Sequence, residues 1–187
     1  RVLFTGDTTT INNGKIISRK ADGRTVNTGA TVTFDHEKAV TVNSELKQEA
    51  DSTFNVVVKN SSEAGTTFTK SVSVNKITVT EGTNANFNGV VSVSVLEALG
   101  NVSLTAQDVL NVTDLTVGQA GELTIVGSID ASGAVTLNGG ATINAAVVYL
   151  SDASSVSFDV ASGGAIALNG ALTMSSTKAF VAALGDS

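Results

Sequence analysis

The chain has no cysteine, no proline and no tryptophan, and only one histidine, one methionine and one tyrosine among 187 residues. Without cysteine there is no disulfide or thiolate, and with a single histidine the Cys/His cages that hold structural zinc are excluded by count. The missing disulfides say nothing about compartment. Without proline, no strand is barred from a hydrogen-bonded ladder. Charge is scarce: 15% of residues carry one, and the net value is −6. An acidic chain of this kind lacks the Lys/Arg clusters that displace counterions from phosphate, so nucleic acid is not an expected partner. No run reaches the roughly 18 apolar residues of a membrane-spanning helix, so no such span is expected. No basic-then-apolar leader is present either, and a start at Arg1 fits either a precursor from which one has been removed, the favoured expectation, or a fragment.

The charge is also unevenly placed. Residues 1–100 carry ten Lys/Arg and ten Asp/Glu, whereas residues 101–187 carry Lys178 alone against seven acids. The second half therefore has to stay soluble on Thr, Ser, Asn and Gly.

What the chain does have is a period of two. In "TVTF" (31–34), "AVTV" (39–42), "FNVVV" (54–58), "SVSV" (71–74), "ITVT" (77–80) and "VSVSV" (91–95), β-branched or aromatic residues mostly alternate with Ser, Thr or Asn. That is the pattern of half-buried strands. It continues through "VSL" (102–104), "LTI" (123–125), "VTL" (135–137), "VSFDV" (156–160) and "LTM" (172–174). Helical spacing shows only weakly, at Leu96–Leu99 and at "KAFVAAL" (178–184).

A longer period lies on top of the alternation. Val102, Leu123 and Ile143 form one series, Leu110, Ile129, Val148 and Ile166 a second, and Leu115, Val135 and Val156 a third, all with nearly equal steps. Three short strands per coil of about 20 residues predict a parallel β-helix, within the range of solenoid repeats. The first half gives a looser echo in Phe34, Phe54, Val72 and Val91. There a β-sandwich is the alternative, because Asn-Gly pairs at 13–14, 88–89, 138–139 and 169–170 also suit two-residue hairpins. The cassette Gly-Ala-Val/Ile-x-Leu-Asn-Gly starts at Gly133 and again at Gly164. Its offset of about one and a half coils makes it a strand-and-corner unit reused on different faces, Val135 in the third series and Ile166 in the second.

The expected organisation is an N-terminal strand segment over 1–20, a more charged β-rich region over 21–99 and a solenoid over 100–187. The expected core includes Val102, Leu104, Leu110, Val112, Leu115, Val117, Leu123, Ile125, Val135, Leu137, Phe158, Ile166 and Leu168, with Ser103, Thr116, Thr124 and Thr136 turned to solvent.

The stretch "LNVTDLTVGQAGELTIVGSIDASGAVTLNGGATINAA" (110–146) resembles the passenger segments of bacterial autotransporters and the Thr/Ala/Gly/Asn-rich β-solenoids of surface-layer and large adhesin proteins. The resemblance lies in composition and rhythm over the second half. It implies secretion, display at the cell surface and a scaffold or adhesive role. The Gly-Gly-x-Gly-x-Asp calcium repeat of some such proteins is absent.

Candidate chemistry is thin. His36 stands between Asp35 and Glu37, but no Gly-x-Ser-x-Gly elbow accompanies it, and a solvated edge is the plainer reading. Glycoside cleavage needs two carboxylates about 5 to 10 Å apart in a sugar-holding groove. Asp108, Asp114, Glu122, Asp130, Asp152 and Asp159 are the available acids, without the Asp-Asp, Gly-His-Gly or Arg-x-Lys signatures of polysaccharide-cleaving β-helices. Asp130, Asp152 and Asp159 at turns offer hard oxygen ligands of the kind calcium takes, although isolated turn acids usually serve as solvated caps. Three sequons, at Asn60, Asn101 and Asn111, are acceptors for N-linked glycan.

These observations predict no catalytic residue, no metal site and no cofactor. The expected function is that of an extracellular structural subunit that assembles with copies of itself into a fibre, pilus or surface lattice. Val2, Leu3, Phe4, Ile11, Ile16 and Ile17 form the apolar strand segment that would pair with a neighbouring subunit by strand addition. An adhesin or phage-type module that recognises a surface glycan is the alternative.

Overall fold

The computed structural model describes residues 9–11, 15–18, 30–35, 37–48, 53–60, 62–119, 121–150, 155–159 and 166–174, and among them the regular structure is all strand. In chain order the strands are β1 (Thr9–Ile11), β2 (Lys15–Ser18), β3 (Ala30–Phe34), β4 (Val40–Val42), β5 (Glu45–Gln48) and β6 (Phe54–Val58). Next come β7 (Thr66–Phe68), β8 (Val72–Val79), β9 (Asn84–Phe87), β10 (Val91–Ala98), β11 (Asn101–Leu104), β12 (Val109–Val112) and β13 (Asp114–Val117). The last six are β14 (Glu122–Ile125), β15 (Ser128–Ala131), β16 (Ala134–Asn138), β17 (Thr142–Leu150), β18 (Ser155–Asp159) and β19 (Ala167–Met174).

Every pairing between these strands is parallel, and the coil advances by about 20 residues per turn. The chain is therefore a parallel β-solenoid with three faces. The first face stacks β1, β4, β7, β9, β11, β14 and the leading halves of β17 and β19. The second stacks β2, β5, the starts of β8 and β10, β12, β15 and the trailing halves of β17 and β19. The third stacks β3, β6, the ends of β8 and β10, β13, β16 and β18. No hairpin occurs among the described residues, so the sandwich alternative for the first half is not realised there. On the first and third faces the ladders also run across residue 100 without a break, so the change of charge at that point falls within one solenoid.

The registers reproduce the three series from the sequence. Val102, Leu123 and Ile143 are successive partners, as are Leu110, Ile129 and Val148, and Leu115, Val135 and Val156. The expected core from Val102 to Leu137 is buried, whereas Ser103, Thr116, Thr124 and Thr136 are half-buried because the same positions in adjacent coils cover their flanks. The side chain of Phe158 lies outside the described residues.

Five expectations need correction. Ile166 does not join the second series: Val148 pairs with Leu172, and it is Leu168 that continues the first series beneath Ile143. Ile166 and Leu168 also pack on the core only partly buried. The two cassettes do sit on different faces, but on the third and the first. The first-half echo is out of register: Phe34 lies opposite Val58, Phe54 opposite Ala30, and Val72 opposite Leu46, with only Val72 and Val91 true partners. From β7 to β18 partners keep close to the regular coil length, but earlier ones lie further apart in the chain, as Thr9 does from Val40 and Val40 from Thr66, because more residues separate the strands there. Finally, Leu96 is not helical; it lies in β10 between Ile77 and Leu115. Parallel neighbours on both sides override a short local spacing. The other helical candidate, 178–184, falls outside the described residues.

From β4 to β17 the strands bury mostly alternate residues, and one continuous core results, whereas the described side chains of β19 are half-buried or exposed. Phe34 meets Phe68 edge to face at 5.2 Å, and Phe68 stacks on its register partner Phe87 at 4.7 Å, so an aromatic cluster fills the early coils. The corners need small residues where they touch the adjacent coil. Gly140 adopts φ 91°, a conformation that glycine tolerates at little cost. Gly170 breaks the register of β19 against β17 at a corner, where a Cβ would fall 1.8 Å from the Ala145 carbonyl.

Candidate functional site

The solenoid turns alternate side chains outward, so its surface is a set of rows, one residue per coil and about 4.8 Å apart. On the first face the rows are hydrogen-bonded. Asn84 Nδ2 donates to the Glu63 carbonyl at 2.7 Å, and Asn101 Nδ2 donates to Asn84 Oδ1 at 2.8 Å. Asn144 Nδ2 donates to Glu122 Oε1 at 2.7 Å and to Thr124 Oγ1 at 3.0 Å, while Asn169 Nδ2 donates to Asn144 Oδ1 at 2.7 Å. Such ladders tie coil to coil in the way that stacked amides do in cross-β assemblies. On the third face, Glu97 accepts from Lys76 Nζ at 2.6 Å and from Thr78 Oγ1 at 2.9 Å.

The second face differs. Between the start of β10 and β12 no ladder forms, and the two strands are bridged at their ends instead. At one end the side chain of Gln107 behaves as a peptide group: Oε1 accepts from Val91 N–H at 2.9 Å, and Nε2 donates to the carbonyls of Val91 at 2.9 Å and Val109 at 2.8 Å. At the other end Thr113 N–H donates to the Ser94 carbonyl at 2.9 Å. Gln107 is only 7% exposed, so its two bonds to Val91 pair polar groups that would otherwise be buried without a partner. Outside this seam runs a groove of about 470 Å³. Val74, Val93 and Val112 form its floor, and Ser73, Ser92, Asn111 and Asp130 form its outward row. Among the described residues no side chain hydrogen-bonds to those of Ser92, Asn111 or Asp130. In register with Asp130 stands Tyr149, 38% exposed.

The residues singled out in the sequence scatter over this scaffold. His36 lies outside the described residues; Asp35 and Glu37 beside it are exposed. Asp108 sits exposed at a corner, Asp114 Oδ1 accepts from Ala134 N–H at 2.8 Å, and Glu122 belongs to the asparagine ladder. Asp130 lies in the groove, Asp152 is outside the described residues and Asp159 ends β18. Among the described residues no three His, Asp or Glu side chains cluster. Of the sequons, Asn101 and Asn111 are exposed, whereas Asn60 is fully buried. Its Nδ2 donates to the carbonyls of Lys38 and Gly65 at 2.7 and 2.8 Å, and its Oδ1 accepts from Ser62 N–H. A glycan on Asn60 would break this corner.

Of the apolar N-terminal segment, Val2, Leu3 and Phe4 lie outside the described residues. Ile11 in β1 is partnered with Val42, and Ile16 and Ile17 in β2 with Leu46 and Lys47. These strands thus extend the chain's own ladders, and each is the outermost strand of its sheet at one end, as β18 is at the other. Sequence reasoning missed Gln107 and the groove row. The row was visible in principle, since Ser73, Ser92, Asn111, Asp130 and Tyr149 follow one another at a constant spacing of one coil.

The class that the fold defines is the parallel β-solenoid. Compared with protein-family models, with curated proteins and with solved structures, the chain matches none.

Proposed function

We propose that this chain is a non-enzymatic structural solenoid of a cell surface or extracellular matrix, joined to further copies of itself through its terminal strands into a fibre or lattice. One observation carries the reading. Because all pairings are parallel, the strands at the first end (β1, β2 and β3) and those at the last (β18 and β19) run in the same sense about the coil. A second copy placed head to tail therefore continues the ladders, and such a heterologous contact propagates without closing. Unpaired strand edges favour that continuation unless they are blocked. Deleting residues 1–11, which removes β1, should leave a folded protein that sediments as a monomer while the full chain associates. An intact chain that stays monomeric at high concentration, or a truncated one that still assembles, contradicts the reading.

A second reading, a module that recognises a surface glycan, is supported by the groove itself: its outward row is polar, free of the mutual bonding seen on the first face, and flanked by an exposed tyrosine.

A further inference from the structure

We infer that the groove outside the seam between β10 and β12 is a binding site for a linear, neutral oligosaccharide lying along the solenoid axis, with Tyr149 as its stacking platform. The inference rests on the glycan-recognition reading above and names its site and ligand class. The contrast between faces carries it. The outward amides of the first face use their hydrogen-bonding capacity on one another, from Asn84 to Asn101 and from Asn144 to Asn169. The row Ser73, Ser92, Asn111, Asp130 offers hydroxyl, amide and carboxylate groups of both donor and acceptor type with none of that mutual bonding, over a concave surface. Sugar hydroxyls are donors and acceptors at once and suit a mixed row of this sort.

The shape fits a chain-like ligand. From Ser73 to Tyr149 the row covers four steps between coils, about 19 Å at the usual interstrand spacing. The splayed strands expose a little of their inward valines there: Val74 and Val93 are 5% exposed and Val112 3%, against 0% for Val72 and Leu110. Apolar floor, polar rim and an amphipathic ring at one end are the ordinary components of a small-molecule site. The charge favours a neutral ligand, although Lys47 stands in register beyond Ser73. Among the described residues Asp130 is the only charged one lining the groove, and the chain as a whole carries −6, so an anionic polysaccharide meets repulsion. Gln107 sets the spacing of the two strands at one end of the groove, where its amide spans Val91 and Val109.

The chain has one tyrosine and no tryptophan, so its intrinsic emission reports Tyr149 alone. Titration of the full chain with cellohexaose and with chitohexaose, using a sulfated heparin oligosaccharide as the anionic control, should give a saturable change in that emission for a neutral sugar and none for heparin. Calorimetry should then show binding weakened by about tenfold or more in Tyr149→Ala and in Asp130→Ala, and abolished in Ser92→Trp, which fills the groove. Ser92 and Tyr149 are exposed, and circular dichroism melts check that each variant folds. Binding that survives Ser92→Trp places the sugar elsewhere and overturns the site while sparing the glycan reading. No binding of either neutral hexasaccharide at millimolar concentration overturns both, and a response to heparin alone overturns the ligand class.

Discussion

The coils between Phe34 and Phe87 and those between Val102 and Leu150 share a backbone but are filled differently. The first set buries Phe34, Phe54, Phe68 and Phe87 among valines, and its early register partners lie further apart in the chain than one regular coil. The second set is filled by Leu, Ile, Val and Ala, with no aromatic residue in its buried core, and its partners hold to the regular coil length. Coil geometry therefore follows from inward alternation and parallel hydrogen bonding, and tolerates either filling. In a solenoid each coil leans mainly on its neighbours, so stability is close to a sum of local terms. The two fillings should differ in how much one truncated side chain costs.

The largest effect is expected at Phe68, which touches rings on both sides. Phe68→Ala should lose about 3 to 5 kcal/mol in chemical denaturation, cavity and lost ring contacts together. Leu123, between Val102 and Ile143 in the aliphatic stack, should lose less on truncation to Ala, about 2 to 3 kcal/mol. Equal losses at the two sites would show that the aromatic cluster adds nothing beyond burial. Between the two sets lies the seam: Gln107→Ala should lose about 1 to 3 kcal/mol by leaving Val91 and Val109 groups unsatisfied, with faster hydrogen exchange at Val91. The smallest effect belongs to the third face. Lys76→Met should change stability by less than about 1 kcal/mol, a difference that fades in high salt, because the ion pair with Glu97 is partly exposed and screened.

The same difference governs what the sequence reveals. In the second set each strand is short, each corner holds a few residues, and the spacing of inward residues equals the register, so Leu110, Ile129 and Val148 align by eye. In the first set the alternation is equally plain, but extra residues between β3 and β4 and between β5 and β6 change the spacing, so equal steps put Phe34 and Phe54 in the wrong stack. Ile166 misleads for a related reason: β17 and β19 turn a corner inside one strand, and the apolar residue before β19 is not the one that fills the interior. The groove row is hidden because its members differ in chemistry, and only their even spacing relates a serine to a tyrosine. Gln107 is beyond reach, since nothing local marks a glutamine that stands in for a peptide group.

Head-to-tail continuation is tested most directly by electron micrographs of the purified chain across a range of concentrations. Continuation of the ladders gives unbranched filaments one solenoid wide that lengthen as concentration rises, with an axial repeat of about 4.8 Å in diffraction from aligned fibres. Uniform particles one chain long at every concentration would contradict it.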